Sequence, residues 1–315
     1  MTHSPGLLGS LLIGTLTARM LAILWKKPLY AVHHLKSHIY ANWLNCGTSA
    51  RPEFPLLALV ASGGHTQIIY MRGHNQFEII GTTRDDAVGE CFDKVAKILG
   101  LPYPGGPSIA QISTISSLNS PVRSRRMSNT APLRASNSPR TSSKFAAIDK
   151  QRWFQEHPGY KLPHPKVEGL DFSFSGLKTA VLRAVQAECG LPITTPSYEL
   201  KNHLTEQQKA DFAASFQETA CDILIEKVKM ALRAHPDVKL LVLAGGVSAN
   251  AVLRQKATES LLEASDGKIR VYFPELKFAG DNAAMVGAAA YFEMISGVKP
   301  TDPYTLNIAP RTAIS

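Results

Sequence analysis

Two histidines four residues apart, His34 and His38 in the run HHLKSH, are the first residues of this 315-residue chain whose type and spacing could do chemistry. On a helix that spacing stacks both imidazoles on one face, at a separation suited to a single metal ion. The pattern is not that of a metallopeptidase: HExxH needs a glutamate beside the first histidine as general base, and Leu35 stands there. Paired histidines at this spacing are often structural, and a third hard ligand from elsewhere would change their meaning. Asp281, in FAGDN, sits where an alanine-rich helix begins. A helix cap is its default reading, and the missing carboxylate ligand is its alternative role.

A second kind of chemistry is offered by glycine turns. Leu56 to Ala61 is an apolar run stopped by Ser62-Gly63-Gly64, and Thr66 to Met71 restarts a β-rich run, which gives strand, tight turn, strand. Adjacent glycines permit positive φ and let a ligand touch backbone N–H groups with no Cβ in the way. Far downstream, Lys239 to Ala244 reads as an apolar strand that Gly245-Gly246-Val247-Ser248-Ala249-Asn250 turns into a helix. Units of this kind hold phosphate at a helix N-terminus. The likeness of the two turns predicts two related lobes facing one nucleotide.

The elements that must position these residues follow from periodicity. Val88, Phe92, Val95 and Leu99 share one helix face, with Asp93 on another, and Tyr103-Pro104-Gly105-Gly106-Pro107 ends that helix in a rigid turn. At the N-terminus, Gly6 to Trp25 carries one charge, Arg19, and reads as a helix capped by Ser4, started by Pro5 and buried between layers rather than set in a membrane. A short strand at Leu29 to Val32 precedes the histidine helix, which runs to Trp43. Ser175 caps a helix to about Ala187, and Thr205 with Gln208 forms a capping box ahead of a long helix ending near Ala234. Arg270 to Phe273 is a last strand, before the Asp281 helix.

Composition sets the outer limits. With 44% hydrophobic residues the chain can bury a core of its own. Its net charge of +9 invites a nucleic-acid reading, but five of those charges are arginines in the acid-free stretch Ser113 to Ser143. Ten serines and three prolines make that stretch a disordered insertion. The four cysteines form no CxxC pair, which argues against a disulfide frame or a zinc knuckle and fits a reducing cytoplasm.

In one order along the chain stand PGLLGSLLIG, HHLKSH, ASGGHTQ, DDAVGECFDKVAKILGLPYPGGP, DFSFSGLKTA, GGVSAN and GDNAAM. Together they resemble the TsaD family, the tRNA N6-adenosine threonylcarbamoyltransferases, over nearly all of the chain outside residues 111–168. The resemblance implies an α/β, actin-like and Hsp70-like two-lobed ATPase fold. It places a first lobe at 1–110, an insertion at 111–150 and a second lobe at 151–315, whose C-terminal helix returns to the first. Family members carry further strands before the PGL helix, so it also implies an incomplete first lobe. His34, His38 and Asp281 match metal ligands, for one divalent ion, usually iron, with zinc as the alternative. Val60, Ala61, Ser62, Gly63, Gly64, Asp93, Gly106 and Asn250 match positions that hold the adenylate substrate.

The implied reaction moves a threonylcarbamoyl group from threonylcarbamoyl-adenylate to N6 of adenosine 37 in tRNA, releasing AMP, with TsaB-like and TsaE-like partners in a bacterium. No general base stands out. Acyl transfer to a weak amine asks instead for charge stabilisation on the carbamoyl and phosphate oxygens. The alternative is an impaired relative, a scaffold that still binds metal and nucleotide. A metallopeptidase is the third reading, and Leu35 opposes it.

Overall fold

The computed structural model describes residues 1–44, 52–118, 160–165, 167–264, 268–311 and 314. In order these form β1 (Thr2–Ser4), α1 (Leu8–Leu24), β2 (Val32–His33), α2 (His34–Tyr40), β3 (Leu56–Ala61), β4 (Thr66–Gly73), β5 (Gln76–Thr82), α3 (Val88–Leu99) and α4 (Gly105–Leu118). Then come α5 (Ser175–Glu188), α6 (Ser197–Leu200), α7 (Glu206–Ala234), β6 (Leu240–Ala244), α8 (Ala251–Ala264), β7 (Arg270–Tyr272), α9 (Leu276–Ala279) and α10 (Ala283–Ile295). The class is α/β, as the sequence implies.

The chain forms two compact units. One comprises Met1–Cys91, Pro165–Ser175 and Cys221–Ser315, and the other Phe92–His164 and Gly176–Ala220. In the first, β1 and β2 pair in parallel as a small sheet, and a five-stranded sheet has the order β5-β4-β3-β6-β7, with β3 antiparallel to β4 and parallel to β6. Residues 240–272, assigned by sequence to a second lobe, therefore extend the sheet begun by residues 56–82, and the division at 110 and 151 does not follow these units. The two glycine turns thus belong to one sheet and not to two related lobes.

Strand β3 is apolar without alternation because both of its faces are covered; every residue from Leu56 to Ala61 is buried. Leu56, Ala58 and Val60 share a core with Leu35, Ile39 and Tyr40 of α2 and Ala289 of α10. Helix α2 is tied down at its end by Asn42, whose amide Nδ2 donates to the carbonyls of Ile39 (3.2 Å) and, on β6, Leu243 (3.0 Å).

The second unit is helical. Phe92, Val95 and Leu99 of α3 are buried as their spacing predicts, and Phe92 meets Phe216 edge-on at 4.9 Å. The expected rigid turn at residues 103–107 is shorter than the sequence suggests, because α4 already begins at Gly105. Helix α4 also continues into the serine-rich stretch to Leu118, and its Ser113 and Ser116 are buried; Ser116 donates to Asp211 at 2.6 Å. The remainder of that stretch, and Cys46, lie outside the described residues.

Helix α1 departs from expectation. Ser4 lies in β1, and Leu7 precedes the helix without a side-chain cap. Only Leu11, Thr15 and Ala22 are buried, along one stripe, while Leu8, Leu12, Ile13, Met20 and Leu24 are exposed. A helix apolar on every side has no preferred face, so one stripe takes the contacts and the others are left out of them. Its single charge, Arg19, donates to the carbonyls of Tyr304 (2.8 Å) and Leu306 (3.3 Å). Among the described residues, no helix is long and apolar enough to cross a membrane.

Candidate functional site

Strands β3 and β6 run parallel with Val60 opposite Ala244, so the turns that follow them emerge side by side at the carboxyl end of the sheet. Strand order reverses between these two strands, since β4 and β5 lie on one side and β7 on the other. Crevices outside strand carboxyl ends at such a reversal are where open α/β sheets take ligands.

The first turn is closed by its own backbone. Ser62 N–H donates to the His65 carbonyl at 2.8 Å, and His65 N–H donates to Ser62 Oγ at 3.2 Å. Helix α3 then starts directly on it: Gly89 N–H donates to the Ser62 carbonyl (3.2 Å), and Val88 N–H to Thr66 Oγ1 (2.8 Å). A Cβ on Gly89 would lie 2.5 Å from the Ser62 carbonyl oxygen, so only glycine lets helix and turn approach this closely. Gly63 and Gly64 themselves do not use the positive φ that glycine permits. Among the described residues, none apart from the chain neighbours lies within 4 Å of where their side chains would be.

The second turn depends on Gly245, at φ +84° and ψ 168°, where a Cβ would also strike the Ala61 carbonyl. From there Gly246–Ala249 makes one 3-10 turn into α8. Asn250 caps α8, its Oδ1 accepting from Leu253 N–H at 3.1 Å.

Three sequence-predicted metal ligands come together. His34 Nε2 stands 3.4 Å and His38 Nε2 3.2 Å from Asp281 Oδ1, and the three ligand atoms all lie within 4.8 Å of one another. An ion holding such atoms tetrahedrally at ~2.0–2.2 Å would set them ~3.3–3.6 Å apart, close to the two histidine–carboxylate distances. The two rings meet edge to face at 4.6 Å. His38 is buried, and its Nδ1 has no hydrogen-bond partner among the described residues. Asp281 is largely exposed. It is not the helix cap: Asn282 Oδ1 accepts from Met285 N–H at 2.8 Å and caps α10, which leaves the Asp281 carboxylate for the histidines.

Electrostatics favour the ligating forms of Asp281 and His34. The hydrogen bond from His38 and the charges of both histidines hold the Asp281 carboxyl below the usual range, against partial desolvation. Burial, then the neighbouring His38, lowers His34 and favours neutral imidazole. His65, directly after the first glycine turn, is lowered by burial and then by His38, which places it in the field of this cluster. Sequence reasoning quoted its motif without singling it out; a histidine flanking a glycine turn was the available signal.

The other predicted residues are distributed unevenly. Ser62, Gly63, Gly64 and Asn250 lie at the two turns, whereas the Val60 and Ala61 side chains are buried in β3. Asp93 and Gly106 belong to the other unit. There Asp93 Oδ1 accepts from Gly105 N–H at 2.7 Å and fixes the start of α4, and the position of a Gly106 side chain is open.

The chain is thus an α/β protein whose sheet presents two glycine turns at its parallel strand ends, with a His/His/Asp cluster on the same unit. Residues 1–131 and 136–288 match TsaD, tRNA N6-adenosine threonylcarbamoyltransferase, and the chain belongs to that family. A protein of that name from Symbiobacterium thermophilum is 40% identical over 298 residues, which span 95% of this chain and 70% of the relative. Another, from Caldicellulosiruptor saccharolyticus, is 37% identical over 310 residues, or 98% and 74%. Among solved structures, 86% of this chain matches 37% of full-length HypF in its phosphate- and nucleotide-bound form, at 14% identity and a TM-score of 0.44.

Proposed function

We infer that this chain transfers the threonylcarbamoyl group of threonylcarbamoyl-adenylate to N6 of adenosine 37, in tRNAs that read codons beginning with adenine, and releases AMP. Family membership across both compact units carries this reading. In the reaction N6 forms a bond to the carbamoyl carbon, the bond from that carbon to the phosphate oxygen breaks, and AMP leaves with the electron pair. The proton from N6 passes to solvent.

Backbone N–H groups of Gly63, Gly64 and Gly246, in the turns at 62–64 and 245–250, bind and orient the adenylate. The open space at Gly63, Gly64 and Gly246 supports this, since a ligand can reach the main chain there. Val60 and Ala61 serve from within the sheet by fixing where the first turn begins. Asp93, Gly106 and Asn250 complete the adenylate-binding set. His34, His38 and Asp281 would hold one divalent ion, iron(II) with zinc as the alternative, and the bound ion would stabilise charge on substrate oxygens. The tRNA docks through basic surface, with an affinity that falls as salt rises. TsaB-like and TsaE-like proteins assist in a bacterial host, and the work is done in the cytoplasm.

The test mixes protein, threonylcarbamoyl-adenylate and unmodified tRNA, with and without candidate partners, and follows AMP release and modified adenosine. Product should form with the parent and be lost in Asp281→Ala and Asn250→Ala, and His38→Ala should purify with less metal. Adenylate binding with no transfer under any partner combination would overturn the reading.

A further inference from the structure

Arg254, in the first turn of α8, ties together two stretches of backbone that the ligands of this site would occupy separately. Its Nε donates to the Ser248 carbonyl at 2.6 Å, and its Nη2 donates to the Pro274 carbonyl at 2.8 Å. The guanidinium carbon stands 5.2 Å from the centre of the Phe273 ring, and the side chain is half-buried. Ser248 lies in the second glycine turn. Pro274 lies two residues beyond β7 on the segment that leads, through α9, to Asp281, and α9 itself packs against that turn. One planar fork thus fixes the turn and the arm that carries the carboxylate ligand. A lysine, with one nitrogen at the end of a flexible stem, cannot hold both carbonyls in this geometry.

We propose that Arg254 is a positioning residue that couples the two halves of the site, so that a nucleotide at the glycine turn and an ion at His34, His38 and Asp281 each strengthen the binding of the other. The proposal rests on the reading above that the turn takes adenylate and the triad takes a metal. It does not make Arg254 a ligand: both of its bonded nitrogens are committed to backbone. A displacement of the turn on nucleotide binding passes through the two carbonyls to the Asp281 arm, and by linkage the effect is the same in both directions.

The experiment measures zinc affinity by competition with a chromophoric chelator, with and without saturating AMP, for the parent chain, Arg254→Ala and Arg254→Lys. Arg72→Ala serves as control, since Arg72 is exposed and pairs with Glu78 in an outer strand. AMP should tighten zinc about tenfold in the parent and in the control. In both Arg254 variants that factor should fall to about threefold, the remainder coming from direct contact between ion and phosphate, while zinc alone still binds within about threefold of the parent. If Arg254→Ala fails to fold, Arg254→Lys, which keeps the stem and the charge, carries the measurement. A residue that only supports the fold would lower the melting temperature and leave the factor intact, and that result, or a parent in which AMP has no effect on zinc, overturns the proposal. Coupling in a parent that transfers nothing to tRNA would leave this inference standing and sink the transferase reading; transfer by a chain whose coupling survives undiminished in both variants would do the reverse.

Discussion

The two glycine turns look alike in sequence, Ser62-Gly63-Gly64 and Gly245-Gly246, and lie side by side in the fold, yet glycine is present in them for different reasons. At Gly245 the protein itself demands it: the backbone is at φ +84° and the Ala61 carbonyl fills the place of a side chain. At Gly63 and Gly64 nothing among the described residues does, because φ is not positive and the surrounding space is open. The first requirement is architectural. The second is explained only by something that comes to lie against the turn, which makes the stretch 62–64 the more informative about a ligand.

Substitutions that separate architecture from ligand test this contrast. The largest effect is expected at Gly245→Ala, which should lower stability by about 3 kcal/mol, since it combines a conformation that is nearly glycine-only with a backbone collision. Thermal unfolding checks it, and an alanine tolerated without loss would erase the distinction. Gly89→Ala comes next. Helix propensity alone would predict a gain of about 1 kcal/mol, but its Cβ would meet the Ser62 carbonyl at 2.5 Å, so a net loss of about 1–2 kcal/mol is expected by denaturant titration. Gly64→Ala should unfold within about 0.5 kcal/mol of the parent while AMP binding, read by calorimetry, weakens about tenfold. Equal AMP affinity in that variant would show that nothing approaches the turn.

The smallest effect concerns pH. The first turn is followed by His65, whereas the second has no titratable side chain from Gly245 to Asn250. Burial lowers the His65 pKa below its ordinary 6.5, so the folded state prefers the neutral ring. That contribution is complete above the ordinary value and is lost as pH falls below it, because the unfolded chain then binds the proton more readily. The melting temperature should therefore drop less steeply below pH 6.5 in His65→Gln than in the parent. Matching slopes would remove His65 from the acid response.

Much of this was legible in the sequence where a local rule decides. The Thr205 and Gln208 capping box forms in full, with Gln208 N–H donating to Thr205 Oγ1 at 3.2 Å and Thr205 N–H to Gln208 Oε1 at 3.0 Å. Strand β3 keeps its predicted limits because an apolar run and a glycine stop leave no choice. The ligand triad was reached through family resemblance, and the fold then brings Asp281 to two histidines some 240 residues away. What escaped depends on long-range partners. Whether the strand at 240–244 joins the strand at 56–61 or starts a separate lobe is a question of pairing, and both apolar runs fit either answer. The apolar pattern of α1 likewise could not show which side would find contacts. Arg254 carried no signal, since its meaning lies in two carbonyls that only the folded chain places within its reach.

The cap on α10 has one more consequence. Because Asn282 holds the helix start, the neighbouring carboxylate is spared that duty, and the two tasks can be gained or lost independently. An ion arriving at Asp281 meets a helix that is already wound, so its uptake would be a local exchange of ligands and not a folding event. Loading and unloading would then proceed at the pace of bond dissociation at the ion, with no unfolding barrier to cross.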